Sequence, residues 1–140
     1  MGTIHFFSED VDFSPEHPRK KATWIKSILA LEKVELGELN FIFCSDRFLL
    51  QLNKQYLHHN TYTDIITFDN ANSPKQIAGD IYISIERVLD NAKRFKVSAL
   101  DELDRVIIHG VLHLMGYNDK KPQEKAQMRK KEEACLSLRE

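Results

Sequence analysis

Residues 106–119 read Val-Ile-Ile-His-Gly-Val-Leu-His-Leu-Met-Gly-Tyr-Asn-Asp, a long apolar run that carries two imidazoles into a buried helix. His109 and His113 are four positions apart, so on a helix they share one face, a turn apart, where both rings reach a single ion. Gly116 suits a left-handed helix stop. The chain then reverses, and Asp119 returns toward that face as a third ligand. The competing reading is a chance spacing, with Asp119 capping the last helix or the turn before it. Two imidazoles left unpaired among Val, Ile and Leu cost about 1 to 3 kcal/mol each, however, and a shared ion removes that cost. A His-x3-His-x5-Asp metal site is the stronger reading.

A structural zinc is normally closed by four protein ligands with cysteine prominent. Only three candidates converge here; Cys44 and Cys135 sit far apart in apolar stretches, match no ligand spacing and read as reduced core thiols. A fourth position is thereby left for water, the arrangement of a hydrolytic site. The helix resembles the His-Glu-x-x-His helix of zinc peptidases, but Gly110 stands where the glutamate base belongs, which argues against peptidase activity. With 140 residues, 42% of them apolar and 29% charged, the chain reads as one domain, residues 1–140, whose core needs no metal staple. A bound metal is therefore expected to be functional. A formal net charge of −1 argues against coating duplex nucleic acid through charge alone. Met1 to Phe13 lacks a signal-peptide pattern and no window approaches a membrane span, so the chain reads as cytoplasmic with no membrane partner.

The element pattern predicts strands at Thr3–Phe7, Leu39–Phe43, Thr63–Phe68 and Ile77–Ile85. Helices are expected over 18–33, Asp46–Tyr56 behind a Ser45 cap, Ser84 or Ile85 to Phe95, Ser98–Met115, and about Pro122–Leu138. In the first helix Trp24, Ile25, Ile28, Leu29 and Leu31 form the apolar face and Lys20, Lys21 and Lys26 lie outside it; in the second Phe48, Leu49, Leu52 and Tyr56 share a side; in the third Ile85, Leu89, Ala92 and Phe95 do. The polar stretch Asp69–Lys75 suits a hairpin loop between antiparallel strands. The fold class is α+β: a four-stranded mixed sheet, its first three strands joined by right-handed crossovers, packed with five helices that include a zincin-like metal helix.

Glu102 falls on the His109–His113 stripe, because seven residues return within about 20° on a helix. It is a candidate partner for a ligand histidine, the alternative being an exposed carboxylate favoured by the helix dipole. Lys120 and Lys121 adjoin Asp119 and are candidates for steering phosphate toward the metal; basic runs are more often solvated faces.

His109-Gly-Val-Leu-His-Leu-Met-Gly-Tyr117 resembles the signature of the YbeY family, single-strand-specific metal-dependent endoribonucleases that mature ribosomal RNA, notably the 3′ end of the small-subunit RNA, and act in ribosome quality control. Leu52-Asn-Lys-Gln-Tyr56, Thr63-Asp-Ile-Ile-Thr-Phe68 and Gly79-Asp-Ile-Tyr-Ile-Ser84 resemble three further family blocks in the family's order. The resemblance implies one divalent metal, most often zinc, and single-stranded ribosomal RNA and ribosomal particles as partners. It also brings Asp64 and Asp80 forward as candidate bases, each equally open to a turn or strand-end role, with the base itself unidentified.

Two departures from the family stand out. Asp119 occupies the place of the family's third ligand histidine, so the ion and its ligands carry +1 rather than +2 and bound water should be less acidic; two histidines and a carboxylate also suit ferrous iron. Leu57 stands where the family places an arginine after the tyrosine, leaving Lys54, His58 and His59 as candidate phosphate contacts. These departures keep two alternatives in view: a ribosome-assembly binding factor with a mainly structural metal, and a metallohydrolase of another substrate.

Overall fold

A computed structural model describes residues 2–139. Its elements run β1 (Thr3–Ser8), α1 (Pro18–Leu31), β2 (Glu35–Cys44), α2 (Asp46–Leu57), β3 (Ile65–Asp69), β4 (Gln76–Ser84), α3 (Ile85–Phe95), α4 (Ala99–Leu114) and α5 (Pro122–Leu136). The expected number and order of strands and helices hold, and the fold is α+β. Serine caps open three of the helices: Ser45, Ser84 and Ser98 each accept a backbone N–H from the residue three positions on.

The sheet order is β1-β2-β4-β3, with β1, β2 and β4 parallel and β3 antiparallel to β4. This corrects the expectation that the first three strands are linked by successive crossovers. The short loop after Asp69 makes β3 and β4 a hairpin, and β4, apolar on both faces, takes the inner place beside β2. The five-residue β3 is left at the edge.

Leu39, Phe41, Phe43, Ile77, Ile81 and Ile83 face one side of the sheet and meet Trp24, Ile25, Ile28 and Leu29 of α1 and Val106, Ile107 and Val111 of α4. The opposite face is covered in part by α2, whose Leu49 packs with Cys44 and Ile66. Both thiols are buried and free, and burial pushes Cys44 up to about 12.

Three helical faces differ from the pattern in the sequence. Lys21 lies on the apolar face of α1, one turn before Trp24 and Ile25, and is buried because its Nζ donates to Asp104 Oδ1 at 2.5 Å. In α3, Val88 joins Ile85 and Ala92 inside while Leu89 and Phe95 are exposed; Leu31 and Tyr56 are exposed as well. Those helices are rotated toward the neighbours they touch, which periodicity within one helix does not specify. Among the described residues no helix is long and apolar enough to cross a membrane.

Candidate metal centre

Helix α4 begins at Ser98, whose hydroxyl accepts the Asp101 N–H at 3.0 Å. At Gly110 it packs against the sheet with little room: a Cβ there would sit 2.8 Å from Ile65 Cδ1 and 3.0 Å from Ile81 Cγ2. That contact explains why no acidic side chain occupies this position. His109 and His113, on either side of it, lie at the edge of the buried stripe and remain partly open to solvent.

The helix stops as the glycine suggested. Gly116 takes φ +106°, and the N–H of Tyr117 reaches back to Leu112 O at 3.0 Å. The Tyr117 hydroxyl then donates to Glu32 Oε1 at 2.8 Å, and Lys131 Nζ donates to Glu32 Oε2 at 3.1 Å, tying the returning chain to the end of α1. The hydrogen bond from Tyr117 holds the Glu32 carboxyl below its ordinary range against a partly opposing effect of burial, with Lys131 adding to the lowering.

That return places Asp119 over the histidines. Its Oδ2 is 3.3 Å from His109 Nε2 and 3.3 Å from His113 Nε2, the two rings stand edge to face with centroids 4.6 Å apart, and one ligand atom from each residue lies within 4.8 Å of the others. Asp119 does not cap α5; Lys121 holds that position, its N–H donating to Glu124 Oε1 at 2.9 Å. Two imidazole nitrogens and a carboxylate oxygen converging at a partly open helix end are the donor set of a divalent ion with a free coordination position. The residues present fit a metal.

The other carboxylates divide. Glu102 does not touch either histidine: it is buried, and both its oxygens accept from Arg105, from Nε at 2.9 Å and Nη2 at 2.6 Å. The partner of His109 is instead Glu132 of α5, whose Oε2 lies 2.5 Å from His109 Nδ1 and whose Oε1 accepts from Arg105 Nη1 at 3.3 Å. Sequence reading missed Glu132. Its signal was there: Met128, Glu132 and Cys135 form the buried stripe of an otherwise charged helix. Asp64 lies at the β3 entry; burial pushes its carboxyl up, and the Arg105 guanidinium nearby only partly offsets this. Asp80 is on the sheet face opposite α4, because it alternates with Ile81, which meets Gly110; its Oδ1 accepts from Asn40 Nδ2 at 3.0 Å.

Lys54, Lys120 and Lys121 are exposed, the last two immediately after Asp119 in the chain. Asn53, from the Leu52–Tyr56 block, braces the loop after α2: its Nδ2 donates to Thr61 O at 2.8 Å and its backbone carbonyl accepts from His59 N–H at 3.1 Å. Leu57 is exposed at the end of that helix, and His58 closes it in the left-handed conformation.

The family model of endoribonuclease YbeY matches residues 4–139 of the chain. The chain is 52% identical over 137 residues to the endoribonuclease YbeY of Cytophaga hutchinsonii, covering 98% of this chain and 96% of that protein. It is 50% identical over 129 residues to the endoribonuclease YbeY of Amoebophilus asiaticus, covering 92% and 88%. In structure it is similar to a Thermotoga maritima protein determined in solution, with a TM-score of 0.65 at 23% identity over 97% of this chain and 88% of that one, which supports the fold. The signature helix and the similarity over nearly the whole chain agree: the chain belongs to the YbeY family of endoribonucleases.

Proposed function

We propose that this chain is a metal-dependent endoribonuclease that cuts single-stranded segments of ribosomal precursor RNA, with zinc held by His109, His113 and Asp119. The observation that carries this reading is the convergence of those three ligand atoms within 4.8 Å at a solvent-accessible helix end. A divalent ion bound there supplies a Lewis acid that acidifies water and offsets charge developing on a phosphoryl oxygen. Lys120 and Lys121, next in the chain to Asp119, draw the phosphodiester toward the site. Among the three candidate carboxylates Asp64 is the one supported as proton acceptor. Asp80 faces away across the sheet, and Glu102 is engaged by Arg105. A carboxyl raised by burial is a better base near neutral pH than an ordinary one.

Ribosomal particles in the cytoplasm are the site of action this reading assigns, supported by the family and by the two buried free thiols. Zinc is favoured by the nitrogen and oxygen donor set with an open position; ferrous iron shares that preference, and metal analysis of protein purified without chelators separates them.

The test is incubation of metal-loaded protein with single-stranded and duplex RNA. Cleavage of the single strand that requires metal and is lost in His109→Ala is the expected result. Absence of metal-dependent cleavage of either RNA overturns it. The assembly-factor reading is favoured by one observation, the exposed Leu57 in place of a phosphate-binding cation; it requires that a His113→Ala variant still support ribosomal RNA maturation in cells.

A further inference from the structure

We propose that Glu132 is a positioning residue of the metal centre: its carboxylate, gripped by Arg105, fixes the His109 ring so that Nε2 points at Asp119. The inference rests on the reading of His109 as a metal ligand. It adds a residue from α5 that does not itself meet the ion.

Glu132 is 3% exposed and sits on the stripe that Met128 and Cys135 make apolar. Docking α5 on α4 needs only a third apolar side chain there. An acid in that place is costly unless its charge is used. It is used twice. Oε2 lies 2.5 Å from His109 Nδ1, and Oε1 accepts from Arg105 Nη1 at 3.3 Å. With Nδ1 engaged by the carboxylate, the ring presents its other nitrogen, Nε2, to Asp119, 3.3 Å from Oδ2.

Arg105 is itself immobilised. Its Nε and Nη2 are committed to Glu102 at 2.9 and 2.6 Å, so the fork cannot swing away from Glu132. Two carboxylates against one guanidinium leave one surplus negative charge beside His109. A cation bound across the imidazole balances that charge and strengthens the hydrogen bond that orients the ring. In this arrangement Glu102, on the ligand helix, acts through Arg105 and Glu132.

The experiment uses the full chain and zinc alone, without RNA. Nitrogen-15 NMR of histidine-labelled, zinc-loaded wild type reads which His109 nitrogen is protonated, and chelator competition reads zinc affinity in Glu132→Gln and Glu132→Leu. The expected result is His109 protonated at Nδ1 and bound through Nε2, with affinity lowered about 10-fold to 100-fold in both variants. A merely structural glutamate predicts lower melting with unchanged zinc affinity. Unchanged zinc affinity in both variants overturns the inference, and so does a wild-type His109 that binds zinc through Nδ1. The wild-type spectrum decides even if both variants fail to fold. Wild type that takes up no zinc contradicts the metal reading itself, a separate outcome visible before any variant is compared.

Discussion

The two ends of helix α4 both gather ionisable side chains, and they use them in opposite ways. At the start, Asp104 accepts from Lys21 Nζ at 2.5 Å and from Arg139 Nη1 at 3.0 Å, while Arg139 Nη2 lies 3.0 Å from Asp101. Two cations meet two carboxylates, and the cluster is closed. A hollow of about 620 Å³ opens beside it, lined in part by Trp24, Leu100 and Leu136. At the far end His109, His113 and Asp119 each bring a ligand atom within 4.8 Å of the others, and among the described residues no lysine or arginine pairs with them. Neither the burial of charge nor the size of a hollow marks a site in this molecule. Ligand atoms that converge without a lysine or arginine partner do.

The sharpest way to break that contrast is to remove one group from each end. His113→Ala should lower zinc affinity by a factor of about 100 or more and abolish cleavage, while the metal-free protein melts as wild type. Lys21→Ala should do the opposite, costing about 3 kcal/mol and roughly 10 °C in melting temperature through the loss of a buried partner, with zinc affinity of the folded protein retained. Chelator competition and calorimetry on both variants read the two effects. If Lys21→Ala weakens zinc as much as His113→Ala does, the ends are not independent.

Asp64→Asn tests the acceptor between them. Single-turnover cleavage should fall by about 100-fold, with zinc affinity unchanged. Because burial raises the folded carboxyl, wild type loses stability as pH rises through that raised value. The asparagine variant should therefore gain on wild type in melting temperature at neutral pH and converge with it in acid. A variant that gains nothing at neutral pH contradicts the burial account.

The smallest effect belongs to the tether. Tyr117→Phe should cost about 1 kcal/mol at pH 7. The folded Glu32 carboxyl is lowered from 4.5, so its contribution is present above that value and is lost as pH falls through the lowered one. Melting curves of wild type and Tyr117→Phe should thus approach each other in acid. A gap that stays constant with pH assigns the cost to packing instead.

Much of this was legible in the chain because local chemistry decided it. Serine caps, the polar hairpin loop and the helix-stopping glycine each specify their own segment, and the histidine spacing specifies a shared face. What escaped was set by partners distant in sequence. Lys21 is inside only because Asp104 meets it across 83 positions. Glu132 lies 23 positions from His109, on a helix whose charged residues look alike until Met128 and Cys135 reveal which face is buried. Strand β3 was misplaced because a parallel and an antiparallel neighbour have the same alternation, and only the pairing of β2 with β4 moves it to the edge. Gly110 reads as a missing base in the sequence; in the fold it is the contact with Ile65 and Ile81.

The central claim is that Asp119 completes the metal site, and a zinc titration of wild type, Asp119→Asn and Asp119→His tests it most directly. Asparagine is as good a helix cap as aspartate but lacks the charge, so a ligand role predicts affinity lowered by about 10-fold or more in Asp119→Asn. Asp119→His should retain binding, since imidazole is an equally suitable donor. Wild-type zinc affinity in Asp119→Asn contradicts the account.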